Sequence, residues 1–488
     1  MVFELHHLSA LEQWDALHSR RLSPRELVEH YVDRIDRHNP AVGAFTVVDA
    51  ERALARADAL EELVARSAPL WGIPTGDKEL VARAGQRTTS GSRLHATRVP
   101  TVSDETVDHL DAAGAISLGA TAAPEFGLSA YTESLVSPPA RNPYDLARGA
   151  GGSSGGAAAA VAAGLIPVAL GSDGGGSIRI PAAACGLVGL KPSRGRVVAG
   201  SGLESLAGLV VTGPIARTVA DAALVLDAFV SAAPWNFATR APVELALASG
   251  AQHPHDGAFL GAAIRGEGRY QLGVMTTSPW DTFTDIRLDE HARWALDEAV
   301  AAFAALGHGI DEVSLDTEPD YGRHFRTVWM AGAASVPART PRELAVLEPL
   351  TAWLVGHGRA LTAEALAEAL AWLTTFERFV IRQLSSVDAV LTPALAMTPR
   401  PLGWYDAMDA ERNFEQQVQY TPWTSLVNVA GLPALTLPVG LTPADLAEPG
   451  LPMGVQLIGR PGGEATLLAL GAQWERQRQP QRIHPPQW

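Results

Sequence analysis

Lysine is nearly missing from this chain. Of 38 basic residues only two, Lys78 and Lys191, are lysine; arginine serves everywhere else. Arginine does not deprotonate in a protein, whereas a desolvated lysine does. A lysine kept against that background is a candidate for proton transfer, and we expect that role for Lys78 and a packing role for Lys191. Cysteine is almost absent too. The single Cys185 excludes an internal disulfide, and its apolar surroundings read as a small buried side chain rather than a nucleophile. Positive charge is in deficit: the net charge of −15 argues against nucleic acid as a partner, because phosphate binding needs clustered cations. No basic start followed by an apolar core opens the chain, so a cytoplasmic protein without a signal peptide is expected. No membrane span is expected either. The most membrane-like stretch, residues 155–171, is short, mostly Ala and Gly, and contains Pro167. His253 and His255 beside Asp256 lack a further ligand cluster and read as surface loop, so neither a metal nor another cofactor is expected.

What the chain has in plenty is glycine beside serine. Residues 151–156 read GGSSGG and residues 174–177 read GGGS, with Ser153 and Ser177 24 positions apart. Between them lie an Ala-rich helical run and, at residues 166–170, a short apolar run that predicts a buried strand. Glycine this dense marks backbone in conformations closed to other residues, or backbone brought very close to something else.

The remaining text alternates short apolar runs with amphipathic helices, which predicts an α/β fold with a mixed or parallel sheet. Residues 1–70 read as helical and pack on a core. Ser23-Pro24 opens one helix, Asn39-Pro40 ends it, and a second runs over about 49–66. A strand leads into Lys78, Ser103 caps the next helix, and Thr218 with Asp221 resembles a capping box. Residues 71–488 read as one domain with a variable, mainly helical insertion at about 235–385, and three strand-like runs return near the end.

Serine needs a base to act as a nucleophile. One local reading is the nucleophile elbow, G-x-S-x-G, of a Ser-His-Asp hydrolase. It requires a strand directly before the motif, and the preceding ARGA reads as loop. The other reading uses both serines. Amides of residues 174–177 converge on one oxyanion, Ser153 relays a proton, and Lys78 is the terminal base if burial lowers its pKa. Asp77 would oppose that, unless an extended segment turns it to the opposite face. Asp173 and Arg179 are expected to pair and brace the loop.

Lys78 within GIPTGDKEL, the GGSSGG knot, GSDGGGSIRIP and CGLVGLKP resemble the amidase signature family. So do TTSGS, PEFG, ARNP, GPIARTVAD, NVAGLPA and GVQLIG; the likeness spans about residues 25–475 and is weakest over 235–385. It implies a layered α/β/α fold with a mixed central β-sheet and a Ser-Ser-Lys triad. Ser177 would be the nucleophile and Ser153, after a cis peptide, the proton relay. Lys78 would be the base, and the amides of Gly174, Gly175, Gly176 and Ser177 the oxyanion hole. Ser154 would support them, and Tyr131, Thr132 and Trp329 would contact substrate. The chain departs from the family at Thr75-Gly76-Asp77, where an apolar strand is usual. It departs again at Glu79, usually Asp, and at Ala120-Thr121-Ala122, usually Lys-Thr-Asn. The resemblance implies a cofactor-independent hydrolase of a small carboxamide, anilide, hydrazide or ester, and admits a homodimer. Two rivals share the scaffold: a glutamine-hydrolysing subunit of a tRNA-dependent amidotransferase, and a non-catalytic binding protein.

Overall fold

The apolar runs assemble into one large mixed sheet of eight strands. In spatial order these are Gly309–Glu312, Gln271–Val274, Ala389–Pro393, Pro452–Gly459, Ala434–Leu441, Val188–Lys191, Val211–Ala216 and Val168–Asp173. The first three are mutually parallel and every later pairing is antiparallel. This computed structural model describes residues 4–230, 258–443, 450–478, 484–486 and 488; His253, His255 and Asp256 lie outside them. Among the described residues no helix is long and apolar enough to cross a membrane.

A second sheet of three strands places Ile116–Thr121 between Phe45–Val48 and Pro74–Lys78. It abuts the large sheet: Thr75 Oγ1 donates to Val168 O at 3.2 Å, and Lys78 meets Ser172 further along. The two edge strands therefore advance together and end at the same level. The helix Gly155–Ala162 packs against both sheets with every residue buried. Only an Ala- and Gly-built helix presents so little side chain on all sides.

One apolar core joins the N-terminal helices to the sheet, with Leu17, Leu27, Tyr31, Trp71 and Trp474 fully or nearly fully buried. A second lies under the helices Tyr321–Ala333 and Ala363–Gln383, where Trp280, Phe325 and Phe376 pack against Val390 and Ile458 of the sheet.

Several local expectations are corrected. The helix begun at Pro24 runs through Pro40 to Val42 and ends at Gly43, whose φ is +68°. Asn39 is bound at both ends of its side chain to the backbone of Phe45, which sets the exit of the chain. The strand Phe45–Val48 interrupts a region expected to be helical, because its β-branched residues pair with Ile116–Thr121. Asp104, not Ser103, precedes the helix Glu105–Ala112. Both side chains instead tie down the loop after Lys78, Asp104 accepting from the Ala82 amide at 2.7 Å and Ser103 from the Ala84 amide at 3.1 Å. Thr218 caps Val219–Phe229 as expected, but Asp221 completes no box. Its carboxylate accepts from the Leu11 amide at 2.9 Å and fastens the N-terminal helices to the core.

Candidate active site

Strand Pro74–Lys78 ends on the lysine, so Lys78 projects from the rim of the small sheet. Its Nζ donates to Ser153 Oγ at 2.8 Å, to Ser172 Oγ at 2.9 Å and to Ser172 O at 3.2 Å. Three oxygens thus match the three donors of an ammonium. Burial nevertheless pushes Lys78 down to about 7, against the opposing pull of the Asp173 carboxylate. Asp77 faces away, its Oδ2 accepting from Arg83 Nε at 2.5 Å and Ser117 Oγ at 2.7 Å. Alternation along an extended strand separates it from Lys78.

The first knot is held from behind. The Gly152–Ser153 peptide is cis. A Cβ on Gly152 would come within 2.6 Å of the Tyr131 carbonyl carbon, so only glycine lets the two backbones approach this closely. Thr132 Oγ1 donates to Gly151 O at 2.8 Å and accepts from the Gly155 amide at 3.2 Å. Tyr131 stacks on Tyr405 at 4.1 Å and accepts from Asn413 Nδ2 at 2.9 Å. Neither side chain is among those lining the cleft at Ser177, whereas Trp329 is. Thr132 braces the Ser153 loop with the hydroxyl expected at the substrate. Ser154 acts through its backbone: its amide donates to Ser177 O at 3.2 Å, and its buried Oγ has no partner among the described residues.

The second knot hangs on a buried ion pair. Arg179 Nε and Nη2 donate to Asp173 Oδ2 and Oδ1, both at 2.9 Å. Its other bonds go to Asn428 Oδ1 and Gln456 Oε1, each at 2.6 Å, and to Thr424 O at 3.0 Å. All five guanidinium donors are used, which is what makes a buried cation tolerable. Burial alone would push the Asp173 carboxyl up; Arg179 beside it, with Lys191 and Asn428, holds it well below the usual range. Asp173 also accepts from the amides of Gly176 at 2.7 Å and Ile178 at 3.2 Å.

One of the amides expected to receive an oxyanion is thereby already engaged. The Gly176 amide is spent inside the loop, where φ is +131° and a Cβ would lie 2.6 Å from Thr424 Oγ1. The amides of Gly174, Gly175 and Ser177 have no partner among the described residues. Ser177 Oγ is likewise unpartnered there, and the residue lines the cleft although only 8 % exposed.

Lys191, expected to pack, is buried and donates to Pro192 O at 2.8 Å; burial, helped by Arg179, pushes it down to about 7. Cys185 is buried and its thiol is pushed up by burial. A strand does precede the first knot, Asp145–Gly149, contrary to the loop expected there. It pairs with Arg141–Asn142 in a two-stranded unit apart from the large sheet, with one further bridge from Arg148 to Pro401, and the hydroxyl after it meets a lysine.

Ser172, Thr424, Asn428 and Gln456 were not anticipated at the site. Asn428 and Gln456 each carried a signal, a polar side chain inside NVAGLPA and GVQLIG, both otherwise apolar. Buried amides in such runs need partners.

The amidase family profile matches residues 26–468. The "Putative amidase AmiB2" of Mycobacterium tuberculosis is 37% identical over 463 residues, covering 93% of this chain and 92% of that protein. A glutamyl-tRNA(Gln) amidotransferase subunit from Carboxydothermus hydrogenoformans is 32% identical, with 99% of each chain covered. Among solved structures, 6-aminohexanoate cyclic dimer hydrolase complexed with substrate superposes with a TM-score of 0.85 at 28% identity, over 99% of this chain and 100% of that one.

Proposed function

The chain belongs to the amidase family and is an amide-hydrolysing enzyme; from that premise we propose that Lys78, Ser153 and Ser177 are its catalytic triad. One observation carries the reading: a buried lysine, poised near neutrality, lies 2.8 Å from the Ser153 hydroxyl. Neutral Lys78 takes the Ser153 proton as Ser153 takes that of Ser177. Ser177 Oγ then bonds to the carbonyl carbon, and the amides of Gly174, Gly175 and Ser177 receive the oxyanion. Collapse breaks the C–N bond, and the proton returns through Ser153 to the leaving amine. Water, activated by the same pair, hydrolyses the acyl-enzyme. The substrate is a small carboxamide or related acyl compound, in a cleft of about 60 Å³. A second reading, hydrolysis of glutamine within a tRNA-dependent amidotransferase, is raised by the relative drawn from such an enzyme.

The test is intact mass and peptide mapping after fluorophosphonate treatment. A single adduct on Ser177, strongly slowed in Lys78→Ala, supports the triad. An adduct on Ser153 or Ser154 that is indifferent to Lys78 overturns it.

A further inference from the structure

The cleft beside Ser177 is walled by Trp280, Phe325, Trp329 and Phe414, and none of its fourteen lining residues is Asp, Glu, Lys, Arg or His. Its polar side chains are mostly committed to the protein. Gln417 accepts from the Ala130 amide at 2.8 Å and donates to Asn413 Oδ1 at 2.7 Å. Ser425 Oγ receives Trp280 Nε1 and bonds the Tyr321 hydroxyl, each at 2.8 Å. The Ser129 and Thr421 hydroxyls donate to the backbone carbonyls of Tyr131 and Gln417. Arg326 lies over the Phe414 ring, but Glu411 holds its guanidinium at 2.6 Å and it does not line the cleft. What remains available is the Ser177 hydroxyl, the loop amides and aromatic surface.

We propose that this cleft selects amides whose neighbouring substituent is uncharged and apolar, and that it refuses free glutamine. The proposal rests on the reading of Ser177 as nucleophile. Glutamine carries an ammonium and a carboxylate on the carbon that two methylenes separate from its carboxamide. A wall without counter-ions, whose hydroxyl donors are already bonded to the protein, would strip both charges of water and return little. An alkyl or aryl group loses only water it prefers to lose. The aromatic wall thus decides between the two functional readings, using residues far in sequence from the triad.

The experiment compares L-glutamine with isocaproamide, which keeps the carbon frame and carries methyl groups in place of ammonium and carboxylate. Ammonia release measures kcat/KM, and protection of Ser177 from fluorophosphonate measures occupancy without requiring turnover. The expected result is a preference of at least about 100-fold for isocaproamide in kcat/KM, with protection at correspondingly lower concentration. Glutamine turned over or protecting as well as isocaproamide overturns the proposal while the Ser177 reading stands. So does protection by neither compound at about 10 mM, above the usual range of KM. Absence of any Ser177 adduct is a different failure, that of the triad itself.

Discussion

Acidifying the medium should switch this enzyme off along a limb set by one side chain. Lys78 is usable as a base only when neutral, and burial brings it from 10.5 to about 7. A shift of that size corresponds to about 5 kcal/mol of disfavoured charge, enough to raise the neutral fraction near pH 7 by about three orders of magnitude. The sign follows directly: protonation below the midpoint removes the base, so kcat/KM falls about tenfold per pH unit on the acid side. Near pH 6 it should be about one-tenth of the plateau, and near pH 8 about nine-tenths. Ser172→Ala sharpens the test. Its hydroxyl accepts from Nζ at 2.9 Å, and a hydrogen bond favours the ammonium over the amine by about 1 kcal/mol. Removing it should move the limb about half to one unit towards acid. Lys78→Arg, which cannot lose its proton, should cost about 10² to 10⁴ in kcat. The assay is kcat/KM for a neutral amide across pH. A midpoint above about 9 would refute the desolvated-lysine argument, as would a limb that Ser172→Ala moves towards base.

Three further outcomes test the supporting structure. Glu475 is half-buried, accepts from the Val219 amide at 2.8 Å, and is pushed up to about 8 by desolvation of its carboxylate and the nearby Asp221. Its folded value lies above the unfolded one, so its stability contribution is full below about pH 4.5 and is lost as pH rises through about 8. Glu475→Gln should therefore raise the melting temperature at pH 8.5 and not at pH 5; equal effects at both would refute the assignment. Asp173→Asn leaves Arg179 a buried charge without its counter-ion and should cost roughly 3–5 kcal/mol in denaturant unfolding. A neutral result would mean the pair does not brace the glycine loop. Gly152→Ala forces the Ser153 loop off the Tyr131 backbone and should slow fluorophosphonate labelling of Ser177 about 100-fold, whereas unchanged labelling would show that the loop yields cheaply.

The legible part of the fold was its alternation. The Ala434–Leu441 and Pro452–Gly459 runs read as strands because each is apolar and bounded by Gly or Pro. Phe45–Val48 did not, since four residues carry no periodicity and only pairing with Ile116–Thr121 makes them a strand. Ser103 and Asp221 looked like helix-end residues by position. Their side chains found longer-range backbone partners, at Ala84 and Leu11, which no local pattern encodes. Thr132 is expected at the substrate, yet its hydroxyl spans Gly151 and Gly155.

By itself the sequence determined which chemistry was possible. Two lysines among 38 basic residues, and two serines each set in glycine, restrict the groups that can shed and carry a proton. That information is local, because residue type sets intrinsic pKa and glycine sets backbone freedom. Tertiary structure decided which of those groups meet. Lys78 and Ser153 are 75 positions apart and touch because the loop opening the helix Gly155–Ala162 lies against the end of the lysine's strand. The acidity of Lys78 comes from burial beneath layers contributed by distant segments, so it exists only in the folded state. The same packing spends the Gly176 amide on Asp173, and brings Trp280, Trp329 and Phe414 around Ser177. Contacts of this range depend on the mutual placement of whole elements, which residue patterns within any one of them do not contain.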